Sequence, residues 1–386
     1  MAERAARTPI APLALSAALG LIAGYVVYTL LEEALHAVWF TIPTLWDAPP
    51  LWYPPLILIP AAIAVYLVRR HLADPLHSPL DGIGIVALTP REYLAAILAI
   101  GASLIGGAVL GPEVALVSTG AVIGGLVARW PRWRDVVDPR RVAVAGVGGA
   151  ILALFIDPLL TGSLSLPEPP ADLIVEEIAW AIPVAAVIAI VVILARLLAT
   201  TLSRWVGPGV HPVVLVGAAI VIAAGAIAFQ VRTGEISSLV ATSGAEYIRK
   251  LPTVTETATL GALLVIKAIA YGVSLGSGFR GGPFFPAMFL GAAGGLLLAE
   301  ALPGGPHPVA AASVGVVAAV IVTARMPWWV VVVLAIVIGY ALGGPVVIPA
   351  AVVGGLVSWA LVLATARWGL WGRSGGNHEA QGATLR

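Results

Sequence analysis

The chain is dominated by long stretches without a charged residue. Asp, Glu, Lys and Arg are all absent from residues 8–31, 48–68, 93–112, 205–231, 301–324 and 326–366. A helix needs about 20 apolar residues to cross a bilayer, so most of these stretches can cross once and the last can cross twice. Their residues do not alternate between apolar and polar as the strands of a membrane β-barrel do. The sequence therefore predicts an all-α, polytopic membrane protein.

The composition excludes several classes of function. Charged residues make up 11% of the chain, whereas soluble domains carry about 25%, so a soluble enzyme is excluded. The net charge of +1 gives no basic surface for nucleic acid. Cysteine is absent, which excludes disulfides, thiolate metal sites and thiol catalysis. We expect no cofactor and no bound metal.

Arginine residues predict the orientation. The densest cluster lies within 129–141, and further arginines lie before the first apolar stretch and after the last. Basic residues concentrate on the cytoplasmic side of a membrane, so both termini are expected to be cytoplasmic. The apolar stretch after the N-terminal arginines is too long for a signal peptide, and it is interpreted as the first membrane helix.

Gly-Pro pairs interrupt the apolar stretches, which indicates helices that stop and restart inside the membrane. The breaks lie at 111–113, 281–283 and 343–345. The first two are offset by about 170 residues, and such interrupted segments in two halves are typical of transporters. We expect a transmembrane domain over 1–366, with halves at 10–200 and 209–366, and a short polar tail at 367–386.

The first break carries a carboxylate. Because proline favours the first turn of a helix, Pro112 would place Glu113 at a helix N-terminus inside the membrane. Free N–H groups and the helix dipole attract anions there, so the carboxylate can fill an anion site and leave it when protonated. The alternative is a glutamate in a water-filled crevice. Since intramembrane carboxylates are costly and functional by default, the sequence predicts that Glu113 is a gate.

The second break, within 276–286, repeats this arrangement without an acidic residue. Its glycines let backbone amides approach a ligand, and Pro283 restarts a helix at Phe284. Two helix N-termini that face one point would form an anion site from neutral groups. Arg280 either adds long-range attraction at the mouth of the path or is an interfacial arginine whose charged end reaches water.

Four segments resemble motifs of the CLC family of chloride channels and transporters. Residues 109–115, Val-Leu-Gly-Pro-Glu-Val-Ala, resemble its gating motif Gly-Arg/Lys-Glu-Gly-Pro. Residues 276–286 are similar to its Ser-Gly-x-x-Gly-Gly-x-Phe-x-Pro segment. Residues 157–162 and 324–327 resemble its Asn-Ala-Pro-Leu-Ala-Gly and Ile-Arg-Ala-Pro segments. The order and spacing agree over nearly the whole chain.

This resemblance implies two inverted-topology halves whose broken helices meet at a central anion site. It also implies a homodimer with one pore per subunit that moves chloride or a similar anion through the bilayer, gated by Glu113. The residues expected around the anion are Gly111, Pro112, Val114, Ala115, Gly282, Pro283, Phe284, Phe285 and Pro286.

The chain also departs from the family pattern. The segment that carries the family's anion-binding serine corresponds to residues 76–81, where Ser78 is the candidate. The family's tyrosine belongs in the last helix, yet no tyrosine follows Tyr340. Without that hydroxyl, mainly backbone N–H groups would hold the anion, so we expect weak discrimination among chloride, bromide, nitrate and fluoride.

Two further residues have uncertain roles. Counting from Pro158 places the family's inner, proton-transferring glutamate at Glu168, whereas counting from Gly162 gives Pro169. A loop carboxylate in water is the alternative for Glu168, so channel-like transport is favoured over a proton/chloride or proton/fluoride antiporter. Lys267 lies in an apolar stretch where the family also has a basic residue, and we expect it to pair helices or reach the interface, with direct ion contact as the alternative.

Two other classes of function fit the sequence less well. A serine-based intramembrane hydrolase needs a histidine near its serine, but the histidines after Ser277 lie in a Pro-rich loop and in the tail. The His-Glu-x-x-His motif is also absent. A scaffold protein would not need broken helices with a carboxylate, so the sequence predicts a transporter and not an enzyme.

Overall fold

The computed structural model describes residues 8–47, 49–75, 78–81, 84–85, 88–156, 174–207, 209–248, 251 and 256–367. Within these ranges the chain forms helices and one isolated pair of β-type hydrogen bonds. The α-helices are α1 (Ile10–His36), α2 (Tyr53–His71), α3 (Pro90–Ile105), α4 (Glu113–Ala128), α5 (Pro139–Leu152), α6 (Ile174–Val206), α7 (Pro212–Thr233), α8 (Thr257–Gly276), α9 (Phe284–Ala301), α10 (Pro308–Ala324), α11 (Trp328–Gly343) and α12 (Ile348–Arg367).

The predicted all-α membrane architecture is confirmed. Among the described residues, seven helical segments are long and apolar enough to cross a membrane, and α4, α10 and α11 are shorter apolar helices. Many helices begin with proline, whose missing N–H would be unpaired there in any case. At α3, for example, Thr89 caps the helix from outside and exchanges hydrogen bonds with Glu92, while Pro90 takes the first position.

The packing of the first five helices is repeated by the next five. In the first set, α4 and α5 pack against each other and against α1, and α2 packs on α3. In the second set, α9 and α10 pack against each other and against α6, and α7 packs on α8. The pair α2–α7 joins the two sets. The repeated pattern of helix contacts therefore agrees with a fold built from two halves.

The repeated packing indicates where in the chain the first half ends and the second begins. The sequence analysis ended the first half at residue 200 and began the second at 209, which leaves α6 in the first half. In the structure α6 packs on α9, α10 and α12, as α1 packs on α4 and α5. We therefore propose that the second half begins with α6 and that the halves meet within 157–173, which lie outside the described residues.

Glycines allow the short helices to pack closely. On α4, a Cβ at Gly120 would lie 2.5 Å from the carbonyl oxygen of Gly146 on α5. At the equivalent place on α9, a Cβ at Gly291 would overlap the carbonyl of Gly315 on α10. Helices in lipid associate through such small residues because apolar burial drives them together only weakly. The same contact is thus built in both halves, and it fixes α4 and α9, whose N-termini form the candidate site.

Candidate anion site between the two broken helices

The two breaks are hydrogen-bonded to each other. The Gly111 N–H donates to the Gly282 carbonyl (2.7 Å), and the Gly282 N–H donates to the Gly111 carbonyl (2.6 Å). Each glycine precedes a proline that caps a helix, Pro112 for α4 and Pro283 for α9. This antiparallel pair holds the two helix N-termini side by side in the protein interior. Both glycines and both prolines are buried in the protein, where backbone polar groups need partners within the protein.

Two buried serines tie each break to the opposite half. The Ser103 hydroxyl on α3 accepts from the Arg280 N–H (2.9 Å), and the Ser274 hydroxyl on α8 accepts from the Val109 N–H (3.0 Å). Residues 103–112 and 274–283 share the pattern Ser-Leu-x-x-Gly-x-x-x-Gly-Pro. The middle glycines, Gly107 and Gly278, both have positive φ (88° and 104°), which glycine adopts without strain.

The Gly-Pro breaks are expected from the sequence but these serines are not, although the pattern repeats at a constant offset of 171 residues. A serine inside an apolar helix gives no sign of which backbone group it will bind. Aligning the two breaks with each other would have identified the pair.

The Glu113 side chain crosses from the first half to the second. Its carboxylate oxygen Oε1 accepts a hydrogen bond from the Phe285 N–H at the start of α9 (2.8 Å). The N–H groups of Phe284 and of Glu113 itself also face the carboxylate. The residue is only 4% exposed, and Oε2 has no hydrogen-bond partner among the described residues. The carboxylate therefore occupies the position at which a helix N-terminus binds an anion.

The glycines beside Glu113 leave room for its carboxylate. A Cβ at Gly282 would overlap Oε2, and a Cβ at Gly111 would lie 2.6 Å from Oε1. Any larger residue at either position would take space that the carboxylate now fills. The absence of a side chain at Gly111 and Gly282 thus shapes the site.

The other residues predicted to surround the anion differ in whether they have a backbone N–H that could bind it. The Ala115 N–H, which was expected to face the anion, instead donates to the Pro112 carbonyl in the first turn of α4 (2.9 Å). Val114 is half-buried beside it. Pro286 is buried in the first turn of α9, and as a proline it has no N–H. In this conformation the backbone donors of α9, at Phe284 and Phe285, are the ones that face the carboxylate from the other half.

Arg280 lies in a buried cluster of ion pairs. Its guanidinium is buried, and its Nη2 lies 2.6 Å from the Asp74 carboxylate, which also binds Arg69 at 2.6 Å. Arg69 in turn donates to the Gly278 carbonyl (2.5 Å). Burial alone would raise the pKa of Asp74, but the hydrogen bonds and charges of the two arginines outweigh it and lower that pKa. This cluster clamps the second break.

Lys267 is fully buried on α8 and does not reach an interface. Its ammonium donates to the carbonyls of Leu239 (2.7 Å), Val240 and Thr242 (3.3 Å each), and it lies 4.3 Å from the centre of the Phe289 ring. The lysine thus holds an irregular segment against α8.

Among the described residues, no contact joins Ser78 to Glu113. Ser78 is half-buried before the turn Pro79–Asp81, where its hydroxyl accepts from the Leu80 N–H (3.3 Å). Glu168 and the segment 157–162 lie outside the described residues, so the expectation for Glu168 remains a prediction.

A tyrosine that the sequence analysis overlooked lies next to the second break. The Tyr271 hydroxyl on α8 donates to the Pro283 carbonyl (2.8 Å), and the side chain is fully buried. The side chains of Thr323 and Arg196 lie near the same hydroxyl. The expectation that no tyrosine hydroxyl would lie near the centre considered only the last helix. Tyr340 itself is exposed on α11.

Comparison with known proteins supports the same architecture. Residues 160–359 match the family model described as "Voltage gated chloride channel". A slow cyanobacterial Cl⁻/H⁺ antiporter has a similar structure, with a TM-score of 0.71, 16% identity, and coverage of 93% of this chain and 96% of the other. No curated protein sequence matches the chain.

Two further solved structures are similar. A eukaryotic CLC transporter has a TM-score of 0.65 at 14% identity, covering 92% of this chain and 72% of the other. A CLC-type fluoride/proton antiporter has a TM-score of 0.61 at 16% identity, covering 92% of this chain and 95% of the other. At these identities the likeness concerns the fold.

Proposed function

The chain belongs to the family of voltage-gated chloride channels, and on that premise we propose that it moves chloride or a similar small anion, with Glu113 as the gate. The observation that carries this proposal is the contact of the Glu113 carboxylate with the N-terminus of α9. A carboxylate from one half occupies the anion position of the other half. An anion and the ionised glutamate therefore compete for the same N–H groups.

Protonation would resolve this competition in favour of the anion. A neutral carboxyl group loses most of its attraction to the helix N-terminus, while a diffusing anion keeps it. The Glu113 side chain then swings away from Gly282, and the anion takes the donors of Phe284 and Phe285. Flux should rise as the pH falls, because protons remove the occupant and not the site.

Replacing Glu113 by glutamine tests this proposal. Glu113→Gln resembles the protonated side chain in shape and charge, so chloride efflux from proteoliposomes should persist and become nearly independent of pH. Glu300 is an exposed glutamate at the C-terminal end of α9, the helix whose N-terminus binds Glu113. Glu300→Gln is therefore the matched control and should keep the wild-type pH profile. Efflux that stays as steeply acid-activated in Glu113→Gln as in the wild type would disprove the gate.

We further propose that transport is channel-like, with weak coupling to protons. The second candidate is a proton-coupled antiporter, favoured by the Cl⁻/H⁺ and fluoride/proton antiporters that share the fold. An imposed chloride gradient should drive little uphill proton movement, recorded as external pH during flux. Stoichiometric proton movement that disappears in Glu168→Gln would favour the antiporter and make Glu168 its inner relay.

The multi-pass membrane architecture fits this function. We propose that both termini face the cytoplasm of a prokaryotic cell and that two copies form a homodimer in its inner membrane, each with its own path. Cross-linking in lipid and accessibility labelling of cysteines introduced at the termini would test these assignments.

A further inference from the structure

The loop that joins α4 to α5, residues 129–141, carries more positive charge than its own carboxylates neutralise. This arginine loop has five arginines and two aspartates, a net charge of +3. Its aspartates, Asp135 and Asp138, lie 3.4 Å from Arg134 and 3.6 Å from Arg141. Among the described residues, three exposed arginines of the loop have no carboxylate partner, namely Arg129, Arg132 and Arg140.

The equivalent loop of the second half shows that the helix pair does not require this charge. Residues 302–307 join α9 to α10, which pack on each other through the same close glycine contacts as α4 and α5. This loop contains no arginine, lysine or tryptophan. The arginine loop contains Trp130 and Trp133, whose rings lie edge to face at 5.5 Å. Its arginines and tryptophans therefore serve a purpose other than the contact between the helices.

An apolar groove lies beside the arginine loop, between α1 and the C-terminal end of α4. It has a volume of about 400 Å³ and is lined by Leu19, Ile123 and Leu126, with Arg129 and Trp130 on the side of the loop. The side chains of Leu126 and Trp130 are 59% and 52% exposed, so the described part of the chain leaves the groove open. Along α4 the lining changes from aliphatic to indole to guanidinium, the order expected between acyl chains and headgroups.

The arginine loop is held in place by the helices around it. The Asp138 N–H donates to the Thr8 hydroxyl just before α1 (3.2 Å), and the Asp138 carboxylate accepts from the Arg140 N–H at the start of α5 (2.9 Å). The side chains of Trp133 and Val137 pack against buried residues of α4 and α5. A site that is ordered in advance loses less conformational freedom when a ligand binds.

We propose that the groove and the arginine loop together bind one anionic phospholipid of the surrounding bilayer. An acyl chain would lie in the groove along Leu19 and Leu126, and the lipid phosphate would lie at Arg129 and Arg132. Guanidinium groups bind phosphate oxygens through paired hydrogen bonds, and basic sites beside membrane helices bind anionic headgroups. The site lies at the opposite end of α4 from Glu113, so its occupancy does not depend on anion transport.

Two other occupants of the groove fit the charges and the shape less well. A zwitterionic headgroup carries a cation beside its phosphate, which the three unpaired arginines would repel. A second copy of the chain would bring the same surface of each copy together in a symmetric dimer, and two loops of +3 would then face each other. An anionic lipid complements both the apolar groove and the positive loop.

Thermal unfolding of the full chain in detergent tests the proposal, because a ligand of the folded state raises the unfolding temperature. Phosphatidylglycerol and phosphatidylcholine with the same acyl chains are titrated in parallel, and the concentration dependence gives an apparent affinity. Phosphatidylglycerol should raise the unfolding temperature, whereas phosphatidylcholine should not. Inorganic phosphate at equal ionic strength should have no effect, because it has no acyl chain for the groove.

Two pairs of arginines provide matched variants. Arg129→Gln combined with Arg132→Gln should lower the apparent affinity for phosphatidylglycerol at least tenfold. Arg134→Gln combined with Arg141→Gln removes the same charge from the same loop, but from arginines that already have aspartate partners, and should change the affinity little. Replacing Arg129 and Arg132 by lysine should keep part of the affinity, since it keeps the charge and loses the paired hydrogen bonds. Each variant is compared with its own unfolding temperature without lipid.

Several outcomes would overturn the lipid site. Equal stabilisation by both phospholipids would remove the selectivity for charge, and equal stabilisation by inorganic phosphate would make the ligand a soluble anion. Unchanged affinity in the Arg129 and Arg132 variant would leave these arginines as an orientation signal alone, and an equal loss in the control pair would indicate unspecific attraction. The chain has no cysteine, so disulfide-linked dimers of Leu126→Cys in proteoliposomes would show that a second copy covers the groove.

Discussion

The two breaks have the same backbone but different side chains. Gly111 and Gly282 pair with each other, a proline caps each helix, and a serine from the opposite half holds each loop. At the first helical position, however, the first half has Glu113 and the second has Phe284. The fold therefore builds two equivalent helix N-termini, and one side chain makes them unequal. The first half supplies the carboxylate, and the second half supplies the N–H group that binds it.

The receiving half is also held more firmly. Arg280 is clamped by Asp74, which binds Arg69 as well, whereas the equivalent position in the first half is the apolar Val109. The Glu113 carboxylate is held by backbone N–H groups at the start of α9, and these groups must stay in place to bind it. The ion-pair cluster lies on the break that leads into this helix.

The largest effect is expected from filling the space that Gly282 leaves for the Glu113 carboxylate. A Cβ at Gly282 would overlap Oε2 of Glu113 and lie 2.5 Å from its Cδ, so Gly282→Ala should expel the carboxylate and occupy the anion position. We expect chloride flux to fall more than tenfold at every pH, and overpacking to cost about 1–3 kcal/mol of stability. Proteoliposome flux and thermal unfolding measure the two effects.

A double variant shows whether the overlap is the cause. Glu113→Ala removes the overlapping atoms, so the pair Gly282→Ala and Glu113→Ala should regain stability in a double-mutant cycle. Gly125→Ala on α4 is the control, since its Cβ would contact nothing within 4 Å. Wild-type flux and pH dependence in Gly282→Ala alone would refute the assigned geometry.

Removing the clamp should have the next largest effect. Asp74→Asn leaves two buried guanidinium groups without their carboxylate, and we expect a loss of about 2 kcal/mol, less than for a fully buried pair because Asp74 is 30% exposed. The arginines lower the pKa of Asp74 below its ordinary 3.8. Its contribution is therefore complete above that value and is lost as the pH falls through the lowered pKa.

Thermal unfolding between pH 2.5 and 6 provides the measurement for Asp74. Stability of the wild type should decrease toward the acid end, and Asp74→Asn should lack that part of the decrease. Asp135→Asn, in an exposed pair with Arg134, should change little. An Asp74→Asn protein as stable as the wild type would show that the second break needs no clamp.

Replacing the two buried serines, Ser103 and Ser274, should have the smallest effect on stability, and it compares the two breaks directly. Ser103→Ala and Ser274→Ala each remove the acceptor of a buried N–H, at a cost of about 1 kcal/mol, the lower end for such a loss. Because Arg280 is also held by Asp74, we expect Ser274→Ala, which frees the Val109 N–H, to cost more. Chemical unfolding of both variants measures this difference. Ser313→Ala, which only loses a bond to Val309 within α10, should cost less than either, and a larger loss in Ser103→Ala would contradict the ranking.

Much of the fold could be predicted from the sequence because the membrane restricts the choices. Charge-free stretches become helices since no other open structure satisfies its backbone in lipid, and the Gly-Pro pairs marked both breaks correctly. The proposed gate, Glu113, is placed by its own local segment. These features depend on residues that are adjacent in the sequence, so the sequence alone is enough to predict them.

The rest could not be predicted because it depends on contacts between distant segments. Arg280 looked like a mouth or interface residue, since nothing near it in the sequence shows that Asp74 lies beside it. Tyr271 was overlooked because its neighbour, Pro283, is brought to it by the restart of α9. The second half was expected to begin after Arg204 because a Gly-Pro pair interrupts the chain there, whereas helix packing groups α6 with the later helices.

The reciprocal bonds between Gly111 and Gly282 also affect how the protein is made. The two residues lie 171 positions apart in the chain, and a ribosome adds about 5–20 residues per second. The first break therefore waits roughly 9 to 34 s in the membrane before its partner has been synthesised. Throughout that interval Gly111 lacks its backbone partner and Glu113 lacks the N-terminus of α9. The nascent first half holds polar groups that only later translation can satisfy, so it needs shelter from lipid and from quality-control proteases until the second half arrives.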